Sequence, residues 1–410
     1  MQDNEKKPAL RFKGFTDPWE QRKLGEIAKE VVRNDPASDA PIMMITAGNG
    51  FIEQSDRYAF NNAGESLKKY ILLERGELAY NHGASKLRPY GSCFALTTVE
   101  KARIPFVYHC FSVEKSNPEF LSIELNGANV ENQLRKIVSS GARMDGLLNI
   151  AYSEYTEVTV QLPKKEEQDW IAKLFKHLDT LITLHQRKYE KLVNIKKSML
   201  DKMFPQNGVS VPEIRFKGFT DPWEQRKLSD IVEKVTEKNA GWQYIETFTN
   251  SAEFGIISQR DFFDHDISKI GSLDGYYVVH NEDFVYNPRI SVTAPVGPIN
   301  RNKLGRTGVM SPLYTVFRPH DIDTTYLEHF FKSEYWHSFM NFNGDSGARS
   351  DRFSIKDSVF FEMPIPTPDI EEQKKIGEFL TLLDTLITLH QRKLEKLQNI
   401  KKSCLEKMFV

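Results

Sequence analysis

The chain has 410 residues, of which 40% are hydrophobic and 27% are charged, and its formal net charge at pH 7 is −1. This length predicts two or three domains with buried cores, and the composition excludes a disordered chain as the default. The near-neutral charge excludes a uniformly basic DNA-binding protein, so affinity for phosphates must come from local patches or from partner subunits. Without a secretory signal, a long apolar run or a cysteine framework, we expect a cytoplasmic protein with no membrane association.

The first distinctive segment is RFKGFTDPWEQRKL at residues 11–24, which recurs letter for letter at residues 215–228. The second copy follows a linker at residues 205–214 and connects a long helix to the next globular region. An internal repeat defines the structural unit, which is here about half of the chain. By this symmetry, we expect the first copy to dock near the C-terminal end of the second long helix.

A globular region of about 140 residues, the size of one domain, follows each copy of this segment. The two regions share a framework, since LKKYILLERGELAYN at 67–81 aligns with LDGYYVVHNEDFVYN at 273–287. Short apolar runs such as YILL, FVYHCFSV and VTVQLP in the first region, and YYVV, LYTVF and VFFEMPIP in the second, are separated by Gly, Pro and Asn. This pattern predicts sheet-rich α+β domains with a few helices, such as Pro118–Leu125.

The predicted organisation has five parts. Two globular domains cover residues 1–163 and 215–368, and two long helical segments cover residues 164–204 and 369–410. The linker at 205–214 lies between the first helix and the second domain.

The loops that follow Asn81 and Asn287 are where the two domains differ most. Both loops carry residue types that contact phosphates and base edges, although ordinary exposed loops have a similar composition. Arg143 and Arg349 belong to an SGAR element that both domains share, so they are framework or phosphate-contacting candidates, and base-reading residues should lie where the copies differ. The DNA-binding candidates are His82, Ser85, Lys86, Arg88, Tyr90, Arg143, Arg289, Ser291, Thr293, Arg301, Lys303, Arg306, Arg349 and Arg352.

Each half ends in a long amphipathic helix that begins near a Glu-Glu-Gln sequence. The two copies differ at only four positions between residues 178–204 and 383–409. About 38 residues would make a helix about 57 Å long, and its single apolar stripe needs a second helix to cover it. We predict an antiparallel pair about a pseudo-twofold axis, with an interface formed by Ile171, Leu174, Leu178, Leu181, His185, Leu192, Ile195, Met199, Ile376, Leu383, Leu386, His390, Leu397, Ile400 and Cys404.

The midpoints of the two helices fall near His185 and His390. We expect these two imidazoles to meet where the helices cross. Two histidines are typical of satisfied interface groups, because a zinc site would need four protein ligands, or three and a water molecule. No metal site is predicted.

Catalytic motifs do not emerge from the sequence. Asn287-Pro288-Arg289 does not match the Asn/Asp-Pro-Pro-aromatic loop of an adenine methyltransferase, and no phosphate-binding Gly-x-x-x-x-Gly-Lys loop is present. Asp369 and Glu372 superficially resemble a nuclease's carboxylate pair, but their position at a helix start predicts a capping box. We therefore expect no catalytic residues and no cofactor in this chain.

The alternation of two variable domains with two nearly identical helices resembles the specificity subunits of type I restriction-modification systems. The resemblance covers essentially the whole chain and rests on the Glu-Glu-Gln helix starts and on the shared LDTLITLHQRK-x-EKL-x-NIKKS sequence. It implies a non-catalytic protein with two target recognition domains, each reading one half of a split, asymmetric site in double-stranded DNA. The two long antiparallel helices would separate these domains and set the gap between the half-sites.

The same resemblance implies the partners. Two methyltransferase subunits would dock on the helices, and restriction subunits that hydrolyse ATP and cleave DNA would join that core. S-adenosylmethionine, ATP and Mg²⁺ are thereby implied for the partner subunits. Two other interpretations remain open, namely a two-domain adaptor that binds proteins or glycans, and a nuclease or methyltransferase fused to its own recognition module.

Overall fold

The computed structural model describes residues 7–57, 64–138, 148–205, 209–263, 270–345 and 351–409. The chain divides into two compact units, unit 1 (Met1–His185 with Lys393–Val410) and unit 2 (Gln186–Arg392). Each unit therefore contains one globular region and a part of each long helix. The five-part division made from the sequence stays a prediction. Within the described ranges, no helix is both long and apolar enough to cross a membrane.

Unit 1 is built on short antiparallel strands. Its four-stranded sheet has the order β2-β9-β6-β7, and the remaining strands form the pairs β1–β10, β3–β4 and β5–β8, with these bounds: β1 (Glu20–Lys23), β2 (Ala28–Glu30), β3 (Met43–Thr46), β4 (Gly50–Glu53), β5 (Ile71–Glu74), β6 (Leu78–Asn81), β7 (Ser92–Ala95), β8 (Lys101–Ile104), β9 (His109–Val113) and β10 (Thr159–Leu162). The helices that begin in this unit are α1 (Pro118–Leu125), α2 (Ala128–Ile137), α3 (Tyr152–Tyr155) and α4 (Lys165–Lys202).

Unit 2 repeats this topology. Its four-stranded sheet has the order β12-β19-β16-β17, and its pairs are β11–β20, β13–β14 and β15–β18, with these bounds: β11 (Glu224–Lys227), β12 (Val232–Lys234), β13 (Phe248–Ser251), β14 (Gly255–Ser258), β15 (Tyr277–Val279), β16 (Phe284–Tyr286), β17 (Ile299–Arg301), β18 (Gly308–Met310), β19 (Thr315–Pro319) and β20 (Pro364–Thr367). Its helices are α5 (Gln259–Phe263), α6 (Thr324–Lys332), α7 (His337–Asn343), α8 (Asp357–Phe360) and α9 (Ile370–Lys407). The predicted α+β, sheet-rich architecture with an internal repeat is confirmed.

Helix α1 has the bounds that the sequence predicts. The side chain of Asn117 accepts a hydrogen bond from the backbone N–H of Phe120 at 2.9 Å, and Pro118 occupies the first helical position. Both are favourable at a helix start, because the first N–H groups of a helix lack partners within it.

The strand predicted from VFFEMPIP is only half right. Its first part belongs to α8, and the strand β20 begins at Pro364. The helical turn places Phe360 in the core with 1% of its surface exposed. Tertiary packing therefore overrides the β-propensity of these aromatic and branched residues.

Each long helix has 38 residues, as predicted. In unit 1, Lys401 near the end of α9 donates to Asp179 of α4, and the rings of Phe409 and Phe175 lie 5.9 Å apart. The two segments thus run antiparallel. In unit 2, Lys196 pairs with Asp384, which is the same pair of residue types at the repeat-related positions.

The predicted helix-interface residues differ in their burial. Ile171, Leu178, Ile376, Leu383 and Cys404 are buried, and Ile400 is 40% exposed. The others are partly buried, namely Leu174, Leu181, His185, Leu192, Ile195, Met199, Leu386, His390 and Leu397. His185 belongs to unit 1 and His390 to unit 2, so their meeting stays a prediction.

The helix ends complete the cores of the globular regions. In unit 1, Cys404 and Met408 of α9 join the cluster that contains Trp19 and Phe120. In unit 2, Met203, which follows α4, and Phe204 take the equivalent places beside Trp223 and Phe330. The apolar stripe therefore packs against strands and short helices as well as against the other long helix.

The repeated RFKGF segment docks where the sequence predicts. In unit 1, the backbone N–H of Leu10, just before the segment, donates to the carbonyl oxygen of Lys407 at 2.8 Å, and the ring of Trp19 within the segment lies 6.0 Å from that of Phe409. In unit 2, the N–H of Ile214 donates to the carbonyl oxygen of Lys202 at 2.9 Å. The expected contact between the first copy and the end of the second helix is confirmed.

The predicted capping box at α9 is only half formed. Asp369 accepts a hydrogen bond from the N–H of Glu371 at 2.8 Å, as a capping residue should. Glu372 instead accepts two hydrogen bonds from Arg215, at 2.7 and 2.8 Å. A bidentate charged pair is stronger than a capping hydrogen bond, which explains why Glu372 binds Arg215 and does not cap the helix. Arg11 and Glu167 form the same pair in unit 1.

Candidate nucleic-acid interface

The loops predicted to contact DNA join β6 to β7 in unit 1 and β16 to β17 in unit 2. The hydroxyl group of Tyr80 donates to the carbonyl oxygen of Tyr90 at 2.6 Å, and that of Tyr286 donates to the carbonyl oxygen of Val296 at 2.9 Å. These bonds close the base of each loop in the same way.

A glycine follows each of these carbonyl groups. Gly91 has φ +82° and Gly297 has φ +83°, and a Cβ atom at either position would lie 2.6 or 2.2 Å from the carbonyl oxygen of Asn81 or Asn287. Only glycine fits this close approach without strain. The same loop base has therefore been kept in both units.

Asn81 and Asn287 tie each loop to a neighbouring hairpin. The side-chain amide of Asn81 donates to Ile45 of β3 at 3.1 Å, and that of Asn287 donates to Asn250 of β13 at 2.8 Å. The side-chain oxygen of each asparagine accepts a hydrogen bond from the backbone N–H two residues later, at 2.9 Å in unit 1 and 3.0 Å in unit 2. This side-chain pattern is an Asx turn, which fixes the direction of the chain as it leaves the strand.

Each loop contains a serine-anchored turn between its Asx turn and its Tyr–Gly closure. In unit 1, the N–H of Ser85 donates to the carbonyl oxygen of Arg88 and the N–H of Arg88 donates to the serine hydroxyl, both at 3.0 Å. In unit 2, the same two hydrogen bonds join Ser291 and Ala294, both at 3.1 Å. The two loops therefore share one backbone frame although most of their residues differ.

Besides Ser85, which anchors the turn, three of the unit 1 candidates make contacts within the domain. Both ring nitrogens of His82 lie 2.7 Å from backbone carbonyl oxygens, those of Leu148 and Val107. Arg88 is half-buried and donates to the carbonyl oxygen of Asn126 at 2.6 Å. Tyr90 packs on the core and supplies the carbonyl that closes the loop. Ser85 and Lys86 are exposed, and Arg143 lies outside the described residues.

Three unit 2 candidates are paired with carboxylates. The side chain of Arg301 is 10% exposed and lies 2.6 Å from the carboxylate of Glu328. Lys303 pairs with the same carboxylate at 2.9 Å, and Arg306 binds Glu246 through two hydrogen bonds of 2.8 Å. They lie on β17 and the segment after it, away from the turn.

The other unit 2 candidates lie on or beside the loop. Arg289 and Arg352 face each other across an isolated antiparallel bridge, flanked by a 2.7 Å hydrogen bond from the N–H of Phe353 to the carbonyl oxygen of Pro288. This pairing brings two cationic residues from distant parts of the sequence onto adjacent backbone. Ser291 and Thr293 are exposed at the turn. Arg349 lies outside the described residues.

A cavity of about 470 Å³ beside Arg352 was not predicted from the sequence. Tyr286, Pro288, Phe353 and Phe360 contribute to its lining. Its walls come from separate segments of the chain, so no local motif could have indicated it. Its lining mixes aromatic faces with the charged side chains of Lys234, Arg352 and Asp357, a combination found in sites that bind small ligands.

The Cys93 side chain is fully buried. Burial raises the pKa of the Cys93 thiol to about 12, which keeps this thiol protonated at neutral pH. Within the residues that the structure describes, no group of three or more His, Cys, Asp or Glu side chains is arranged to hold a metal ion.

Comparison with known proteins identifies similar sequences and one similar fold. Residues 220–399 match the family model of the type I restriction modification DNA specificity domain. The MjaVIII specificity subunit of a type I restriction enzyme from Methanocaldococcus jannaschii is 25% identical over 280 residues, which span 65% of this chain and 64% of that protein. The MjaX specificity subunit from the same organism is 24% identical over 421 residues, covering 94% of this chain and 91% of that protein.

The fold is similar to that of a solved structure. The S subunit of a type I restriction-modification system from M. genitalium superposes with a TM-score of 0.51 and 12% identity. The alignment covers 98% of this chain and 99% of that one. At this identity the likeness concerns the fold alone.

Proposed function

We propose that the chain is a specificity subunit of a type I restriction-modification system and that each of its two units reads one half of a bipartite, asymmetric DNA site. The observation that carries this proposal is the repeated loop frame. A Tyr–Gly closure and a serine-anchored turn recur in both units, and the residues that the turns display are different. A conserved frame with different displayed residues suits two readers of two different half-sites.

We propose further that the chain is non-catalytic and acts in the cytoplasm by directing partner enzymes. Two methyltransferase subunits would bind the long helices and methylate adenines, and restriction subunits would cleave DNA. S-adenosylmethionine, ATP and Mg²⁺ would be bound by these partners. Leu184 of unit 1 and Leu389 of unit 2 occupy repeat-related positions and are 48% and 44% exposed, which supports equivalent docking surfaces for two copies of one partner.

Co-expression with a candidate methyltransferase subunit tests this function. Methylated adenines would be mapped across the host genome, with each protein alone as the control. We expect a bipartite motif only when both proteins are present. Replacing residues 25–160 by those of another specificity subunit should change one half of that motif and leave the other half intact. A stable complex that yields no motif would favour an adaptor instead.

A further inference from the structure

We propose that the two central residues of each serine-anchored turn, Lys86-Leu87 in unit 1 and Val292-Thr293 in unit 2, are the residues that select a base in their half-site. We call these two pairs the turn tips. The proposal rests on the proposed function and deepens it, because it assigns base selection to four residues on two topologically equivalent turns.

The first argument is the equivalence of the frames. Both turns lie between the Asx turn at Asn81 or Asn287, where each loop begins, and the Tyr–Gly closure at Gly91 or Gly297, where it ends. An offset of 206 residues places Lys86 on Val292 within the same hydrogen-bonded turn, as it places Ser85 on Ser291. Different side chains are thus presented from the same backbone position in the two units.

The second argument is the orientation of the side chains in each turn. The flanking residues serve the frame, since each serine hydroxyl accepts a backbone hydrogen bond and Ala294 is only 7% exposed. The tips project outward, with Leu87 65% exposed and Val292 102% exposed. A single exposed valine is ordinary on a protein surface. What distinguishes Val292 is its position at the centre of an anchored turn, at the place that Lys86 takes in the repeat-related turn.

The third argument is the backbone conformation of the tips. None of these four residues is among the described residues with positive φ. A turn whose central residues need no left-handed conformation accepts most residue types. The frame therefore holds the tip in place, and the tip accepts different side chains at little cost in stability, as a base-selecting position requires.

The chemistry of each tip indicates the base that it would select. The ammonium group of Lys86 can donate to O6 and N7 of guanine, and Leu87 offers it an apolar neighbour. Val292 can pack against the 5-methyl group of thymine in the major groove, while the hydroxyl group of Thr293 lies 3.2 Å from that of Ser291 and is engaged within the turn. We therefore assign a guanine contact to the unit 1 tip and a thymine contact to the unit 2 tip.

A reciprocal exchange of the tips tests this assignment. One variant carries Lys86→Val with Leu87→Thr, and the other carries Val292→Lys with Thr293→Leu. Each is co-expressed with the methyltransferase subunit that gives the wild-type chain its motif, and methylated adenines are mapped. We expect each variant to change one base position in its own half-site, with about a tenfold or greater loss for the original base. The other half-site should be unchanged.

Two further sets of variants guard against misfolding and non-specific effects. Lys86→Ala and Val292→Ala remove the reading groups alone and should relax the preference at the same single position. Ile245→Thr alters a 72% exposed residue before β13, at the end of that strand opposite its hairpin turn, and should leave the motif unchanged.

The outcomes separate the two proposals. If the exchanged and alanine variants keep the wild-type motif at the wild-type extent of methylation, the tips do not select bases, although the proposed function stands. If an exchanged variant loses all methylation, its alanine counterpart is decisive. A relaxed preference at the single expected position supports base selection by the tip, and an unchanged motif shows that the exchange only damaged the fold. A wild-type complex that yields no motif overturns both proposals.

Discussion

At the scale of single residues, the most telling contacts join positions far apart in the sequence. Arg215 and Glu372 form a buried bidentate pair, in which the side chains are 12% and 0% exposed. The sequence indicated a helix start at Glu372 but not its partner, because a pair separated by 157 residues leaves no periodic pattern. The same limit explains why Arg301, Lys303 and Arg306 were predicted as DNA contacts although nearby carboxylates bind them.

Removing one member of the buried pair should destabilise unit 2. We expect Glu372→Ala to lower the free energy of unfolding by roughly 3 kcal/mol or more, since it leaves the Arg215 guanidinium buried without its carboxylate. Urea unfolding measures the change. Glu371→Ala is the matched control and should cost less than about 1 kcal/mol, because its side chain is 64% exposed. Equal losses in the two variants would contradict the assigned role.

His329 should make unit 2 sensitive to acid. Burial, together with the nearby Lys332, lowers the pKa of His329 to about 3, and its side chain donates or accepts at Thr381 over 3.0 Å. The unfolded chain has a histidine pKa of about 6.5. The neutral imidazole therefore stabilises the fold above about pH 6.5, and this contribution is lost as the pH falls from there towards 3.

Between pH 7 and pH 5, we expect this residue to cost the wild-type protein roughly 2 kcal/mol of stability. His329→Gln should remove that loss, as measured by urea unfolding at both pH values. His320→Gln provides the control, because His320 is 40% exposed. An unchanged pH dependence in His329→Gln would show that His329 ionises alike in the folded and unfolded states, so that its pKa is not lowered by folding.

At the scale of elements, the long helices were predictable and the strands only in part. A 3.6-residue apolar period over 38 residues gives a strong signal, and the start and length of both helices follow from it. Strands of three to five residues leave a weak signal, so α8 was mistaken for the start of a strand. The pairing of Arg289 with Arg352 depends on strand-like contacts between separate segments, which the sequence does not encode locally.

Two repeat-related methionines should stabilise different units. Met408 is 3% exposed in the core of unit 1, and Met203 is 2% exposed in the core of unit 2. We expect Met408→Ala to cost about 2–5 kcal/mol in unit 1, because it leaves a cavity in that core. Hydrogen exchange should then show lower protection of Leu78 and Phe111, with Phe284 and Phe317 unaffected.

Met203→Ala is the reciprocal control and should reverse the pattern. If either substitution lowered protection equally in both units, the helix ends would not belong to separate cores.

At the scale of the whole molecule, the internal repeat was the most informative property of the sequence. It predicted that the architecture occurs twice, and the sheet orders of the two units agree strand for strand. The repeat could not indicate which loop residues are exposed, because that depends on the turn geometry. It also says little about total affinity for DNA, for which charge is the better guide.

We predict that the isolated chain binds DNA weakly. Its net charge is −1, and three of the predicted DNA-binding cations, Arg301, Lys303 and Arg306, are paired with carboxylates. Fluorescence anisotropy should show affinity for a random duplex that falls steeply between about 50 and 200 mM salt, because counterion release dominates such binding. Adding the methyltransferase partner should restore tight binding. Salt-resistant, sequence-specific binding by the chain alone would contradict this prediction.

Unit 1 contains segments from both ends of the sequence, which affects when it can fold during synthesis on the ribosome. Its core needs Met408 and Cys404, which are translated more than 200 residues after α4 begins. At about 5–20 residues per second, the unfinished core waits some 10–40 s for them. Unit 2 has all its residues once Arg392 has been made. The nascent N-terminal region is therefore the part that chaperones must protect, and the second half of the chain is able to fold first.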